Sequence, residues 1–122
     1  MKYGIGSIII LLIACEGDLI KSPAIPPATY FAVRYEITGD SGLVSIRMKN
    51  ENGSTITFES EAVPWQYNFR VLMPRGSSVY LSAQNTGAAD RTIRATIYKT
   101  GAVFKSSENS GPYTTVTVQG IL

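Results

Sequence analysis

From residue 30 onward the chain alternates between apolar and polar positions. Tyr30–Ile37 sets Phe31, Val33, Tyr35 and Ile37 on one face and Ala32, Arg34 and Glu36 on the other. That period of two predicts a half-buried strand. Leu43–Lys49 repeats it with Val44, Ile46 and Met48 inward. Asn52-Gly53 predicts a hairpin turn into a strand over 54–59, with Ile56 and Phe58 inward. Further strands are expected over 66–72 (Tyr67, Phe69 and Val71 inward), 78–84 (Val79, Leu81 and Ala83), 92–99 (Ile93, Ala95 and Ile97) and 113–119 (Val116 and Val118). A weaker one is expected over 103–106, followed by a loop over 108–112. Val63-Pro64-Trp65 interrupts the ladder, because proline is excluded from central strands. No stretch of ten residues carries a helical period.

Seven to eight short strands separated by turn residues predict an all-β fold, an antiparallel sandwich of immunoglobulin-like type. An eight-stranded barrel has a similar pattern but needs longer, more even strands.

The first 28 residues follow a different pattern. Lys2 precedes an apolar run, Ile5–Ile13, which ends at Ala14 and Cys15. A basic start, an apolar centre and a small residue at the cut form the layout of a secretory signal peptide. The run is too short for a membrane-spanning helix, which needs about 20 apolar residues, and Glu16-Gly17-Asp18 ends it. Leu12-Ile13-Ala14-Cys15 resembles the lipobox of bacterial lipoproteins. The resemblance implies cleavage before Cys15, a diacylglyceryl thioether on its sulfur and an acyl chain, such as palmitate, on the new amino terminus. The expected organisation is a leader over 1–14, a lipidated cysteine and tether over 15–28 and the sandwich over 29–122. The tether contains three prolines and reads either as an extended spacer or as a segment without fixed form.

Composition narrows the chemistry. There is no histidine and one cysteine. The usual general base at neutral pH, the usual metal ligand, the common triads and an intramolecular disulfide are all excluded. Eleven basic and nine acidic residues give a net charge of +2. No clustered basic stripe of a nucleic-acid binder is visible in the sequence. No catalytic residue, cofactor or metal site is expected.

Five side chains stand out as candidate binding residues. Trp65 is the single tryptophan; it reads first as a core or edge plug beside Pro64, and otherwise as an anchor for a partner. Arg70, Tyr80, Arg94 and Tyr98 fall on outward positions of strands that look adjacent, and tyrosine with arginine is the composition of interface centres. The alternative is an ordinary solvated face. Glu59 and Glu61 lack the surroundings of a glycosidase pair and read as a solvated edge. Asp40, Glu51 and Asn52 match no calcium-loop spacing.

Tyr35-Glu36-Ile37-Thr38-Gly39, then Asn50–Gly53, then Val63-Pro64-Trp65 together resemble the MmpS-type small membrane proteins of mycobacteria. Those share a V-x-Y-x-V-T-G strand, an N-G hairpin and an L-P-W segment in that order. The resemblance implies an immunoglobulin-like periplasmic domain that assists exporters of lipids or siderophores. Two features depart from that family: a lipobox-like cysteine stands in place of a transmembrane helix, and the domain has no cysteine pair. The function expected is a lipid-anchored binding or accessory module of the bacterial envelope. A surface adhesin or glycan-binding subunit, and a small envelope hydrolase or its inhibitor, are the alternatives.

Overall fold

A computed structural model describes residues 29–122. The leader, Cys15 and the tether over 15–28 lie outside the described residues. The predicted alternation is realised as eight strands in two antiparallel sheets, with one further pair of two-residue strands. The strands are β1 (Tyr30–Phe31), β2 (Val33–Gly39), β3 (Leu43–Lys49), β4 (Thr55–Ala62) and β5 (Trp65–Asn68), followed by β6 (Met73–Pro74), β7 (Ser78–Asn85), β8 (Arg91–Lys99), β9 (Ala102–Gly111) and β10 (Thr115–Ile121). One sheet has the order β10-β7-β3-β4, the other β5-β2-β8-β9, and β1 pairs with β6. The architecture is a β-sandwich, and the described residues contain no helix.

The inward positions form one core. Tyr35, Ile37, Val44, Ile46, Met48, Leu81, Ile93, Ala95 and Ile97 are fully buried. Each lies on the inner face that its strand's alternation predicts. Burial of a large apolar side chain contributes about 1.5–3 kcal/mol, so this inner layer is the main stabilising element.

The two long edges of the sandwich are closed differently. At the β4–β5 corner the Val63–Pro64 peptide is cis, and Val63 N donates to Gly42 O at 3.0 Å. Trp65 pairs opposite buried Ile37 and therefore faces inward. Its ring leans on Phe58 of β4 at 5.6 Å, bridging the edges of the two sheets. At the β9–β10 edge, Phe104 lies over Gly120.

Several expectations need correction. The strand expected over 30–37 breaks at Ala32, whose carbonyl accepts from Thr100 N at 2.7 Å. β1 then leaves the sheet to pair with β6, Phe31 opposite Met73. The strand over 66–72 stops at Asn68, because its neighbour β2 begins at Val33 and offers no longer ladder. Phe69 still packs on the core, but Val71, expected inward, is 56% exposed. The short strand over 103–106 and the loop over 108–112 are in fact one ten-residue strand. β9 is an edge strand paired along all of β8. Most of its side chains are exposed, so burial imposes no alternation on them. Thr96, expected outward and exposed, is 4% exposed, and its hydroxyl lies 3.2 Å from that of Ser106.

A Cβ added at Gly120 would sit 2.9 Å from Phe104 Cε2 and 3.1 Å from Lys105 Cε. Gly120→Ala is therefore expected to cost about 1–3 kcal/mol through forced displacement of Phe104. The measurement is the urea midpoint, and an unchanged midpoint would mean that the β9–β10 edge is not packed as described.

Candidate functional site

The site begins with a phenol in the core. Tyr35 is fully buried at the centre of β2, and a buried hydroxyl is costly unless it is hydrogen-bonded. Its hydroxyl donates to Lys49 O at 2.7 Å and accepts from Tyr80 N at 3.2 Å. These two backbone groups belong to β3 and β7, which pair from Val44↔Asn85 to Met48↔Leu81 and no further. Lys49 and Tyr80 would form the next pair of that ladder. The Tyr35 hydroxyl takes up both groups, and the strands separate there. Burial, first of all, pushes the Tyr35 hydroxyl up to about 12, so it stays protonated and able to donate across the usual pH range.

The separation opens a groove of about 520 Å³ on the outer face of the β10-β7-β3-β4 sheet. Arg47, Lys49, Ser78, Tyr80, Gln119 and Ile121 are among its lining side chains. Lys49 Nζ donates to Ser78 Oγ at 2.6 Å across the gap. The ion pairs among the described residues are Arg70–Glu51 and Arg94–Glu108, which leaves Arg47 and Lys49 without a carboxylate. A smaller depression of about 220 Å³ continues along the same face, lined by Arg47 with Ser45, Thr57, Ser82, Gln84 and Thr115. Two cations, one phenol and a field of hydroxyls and amides suit an anionic or hydroxyl-rich ligand held by hydrogen bonds.

Of the five candidate binding residues, Tyr80 alone lines the groove. β7 and β8 are consecutive in sequence but lie in different sheets. Arg94 and Tyr98 therefore face away from Tyr80, on the other side of the molecule. Both are engaged within the domain: Arg94 Nη2 donates to Glu108 at 2.6 Å, and Tyr98 Oη donates to Glu36 at 2.7 Å. The Arg34 guanidinium lies 4.0 Å from the Tyr98 ring centre. Trp65 is half-buried at the sheet edge, and Arg70 lies in the segment after β5.

Sequence reading passed over Arg47 and Lys49. Both are outward positions on a predicted strand, and such residues are ordinarily just solvated. No local signal separates them from other outward cations, because the groove exists only where β3 and β7 part. Asp40 and Glu51 lie at opposite ends of β3, each with its own partners. Among the described residues, no group of three or more His, Cys, Asp or Glu side chains could hold a metal ion.

Glu51 organises one end of the domain. Its side chain is 4% exposed. Oε1 accepts from Tyr67 Oη at 2.5 Å, and Oε2 accepts from Arg70 N at 3.0 Å and Arg70 Nε at 3.4 Å. Desolvation pushes the carboxyl up, but the bonds from Tyr67 and Arg70 outweigh it and hold the group at about 2. They also fix the segment that carries exposed Val71 and Leu72.

Tyr35→Phe leaves Lys49 O and Tyr80 N unpaired and is expected to cost about 1–3 kcal/mol in denaturant unfolding. Glu51 has a folded-state pKa below its ordinary value of 4.5. The stability it contributes is therefore present above about pH 4.5 and is lost as pH falls toward 2. Wild type should lose up to about 3 kcal/mol more than Glu51→Gln across that window, measured by urea unfolding at stepped pH. Equal losses would remove Glu51 from this role. A scan against protein-family models gave no match to the chain, and a search of curated proteins gave none either.

Proposed function

We propose that this chain is a lipid-anchored module of a bacterial cell envelope that works by holding a partner. The observation that carries this reading is the groove at the β3–β7 separation, with Arg47, Lys49 and Tyr80 on its walls. Arginine and tyrosine on a partly desolvated surface are the side chains that dominate binding energy. No carboxylate lines the groove, which favours an anionic or hydroxyl-rich partner.

The anchor rests on Leu12-Ile13-Ala14-Cys15. Two or three acyl chains on one residue exceed the marginal hold of a single myristoyl chain, about 10⁴ M⁻¹. The order of motifs shared with the MmpS-type proteins favours an envelope protein partner, such as part of an exporter. A glycan-binding subunit is the second reading. It is favoured by the hydroxyl- and amide-lined depression beside the groove.

Radioactive fatty acid should label the wild-type chain and not Cys15→Ser; equal labelling would overturn the anchor. Crosslinking in intact cells, followed by capture of the chain, should recover an exporter component. Arg47→Glu with Tyr80→Ala should weaken that capture by about tenfold or more, equivalent to about 1.4 kcal/mol. Recovery of an envelope polysaccharide instead would move the assignment to the second reading. Unchanged capture by the double variant would remove the groove from it.

A further inference from the structure

The two ends of the sandwich differ in chemistry. The described chain enters at Thr29, which Arg75 N holds by its carbonyl at 2.8 Å. Leu122 lies at the same end, its carbonyl accepting from Gly76 N at 2.8 Å. Seven large apolar side chains of the described residues are exposed, and five of them lie at this entry end: Tyr30, Val71, Leu72, Val103 and Ile121. Of these, Val71 and Leu72 are consecutive and exposed together, the arrangement that a contact surface needs.

The same end is basic. Lys49, Arg70, Arg75, Lys99 and Lys105 lie there. Of the carboxylates nearest this end, Glu51 is 4% exposed and held by Tyr67 and Arg70, and Glu36 accepts from Tyr98 Oη. Lys99 Nζ sits between the rings of Phe31 and Phe104, 4.5 and 4.6 Å from their centres. At the far end, Asp40, Glu61, Asp90 and Glu108 outnumber Arg91 and Arg94. The domain thus carries a charge asymmetry along the strand direction, which orients it in an external field.

We propose that the entry end rests on an anionic lipid surface. Val71 and Leu72 enter the headgroup layer, and Arg70, Arg75 and Lys105 meet lipid phosphates. Basic side chains around apolar ones are what an interfacial contact requires. The occupant follows from charge complementarity and from where the chain enters. Thirteen residues lie between Cys15 and Thr29, a reach of about 45 Å when polyproline-like. A lipid on Cys15 holds the domain within that reach of the bilayer, and the charge asymmetry turns this end toward it; the proximity, though not the lipid affinity, rests on the anchor proposed above. The polar depression over Ser45, Ser82 and Gln84 lies farther up the sheet face, so docking leaves it open to a partner.

The test uses the full acylated chain in two kinds of vesicle, one of phosphatidylcholine alone and one with roughly a third phosphatidylglycerol. Hydrogen exchange should slow about tenfold over residues 70–76 and 102–105 in the anionic vesicles only. The effect should vanish in about 1 M salt, where the Debye length is about 3 Å. It should also vanish in Arg75→Glu with Lys105→Glu. Both side chains are exposed, and an unchanged melting temperature confirms the fold; Leu72→Glu serves as a second variant. Equal exchange in the two vesicle types would overturn the proposal, as would slowing confined to residues 86–90 at the far end. Slowing that follows protein density in both vesicle types, or that needs added envelope protein, would assign the end to a second copy or a protein partner and would equally overturn it. Flotation with phosphatidylcholine vesicles reads the anchor separately. A chain that fails to float there defeats the Cys15 reading, while its exchange with anionic vesicles still decides the docking.

Discussion

A single hydroxyl at the centre of the sandwich governs the surface above it. Tyr35 is fully buried, and its ring meets Phe69 edge-on at 5.0 Å. The hydroxyl has to be bonded, because an unpartnered polar group in an apolar interior costs several kcal/mol. The groups it bonds are backbone atoms of the opposite sheet. One side chain therefore ties the sheets together and ends the β3–β7 ladder. The groove is the outer consequence of this inner hydrogen bond.

Asn85 plays the corresponding part at the far end. It is fully buried, and its amide donates to Ala89 O at 2.8 Å and Gly111 O at 3.1 Å. Its oxygen accepts from Gly87 N at 3.1 Å and Arg91 Nη1 at 2.6 Å. Arg91 Nη1 also reaches Leu43 O at 2.9 Å. Gly42 lacks a side chain at the place where the Arg91 guanidinium lies. The far-end loops are thus joined by neutral and cationic hydrogen bonds, whereas the entry end presents exposed apolar groups among cations. This division gives the domain a direction along its strands.

The alternating pattern made most of the core legible. Val44, Ile46, Met48, Val79, Leu81, Ile93 and Ile97 are inward as a period of two requires, since burial of one face selects apolar residues at every second position. Trp65 beside Pro64 was legible as an edge plug, because proline excludes a central strand. The pattern failed where burial does not act on it. β9 is an exposed edge, and Val71 follows the last pair of β5, so neither inherits a face.

The candidate site was legible only in fragments. Tyr80 stood out by type, but its partners Arg47 and Lys49 did not, and Arg94 and Tyr98 belong to the other sheet. Local alternation determines which face of a strand is buried. It carries no information on which strands become neighbours, because pairing is settled by how both sheets bury their faces together. By itself the sequence determined a helix-free sandwich, because alternation fixes which face of each strand is buried. The tertiary structure alone decided that β7 meets β3 and not β8, that a buried phenol parts them, and that cations and apolar groups gather at one end.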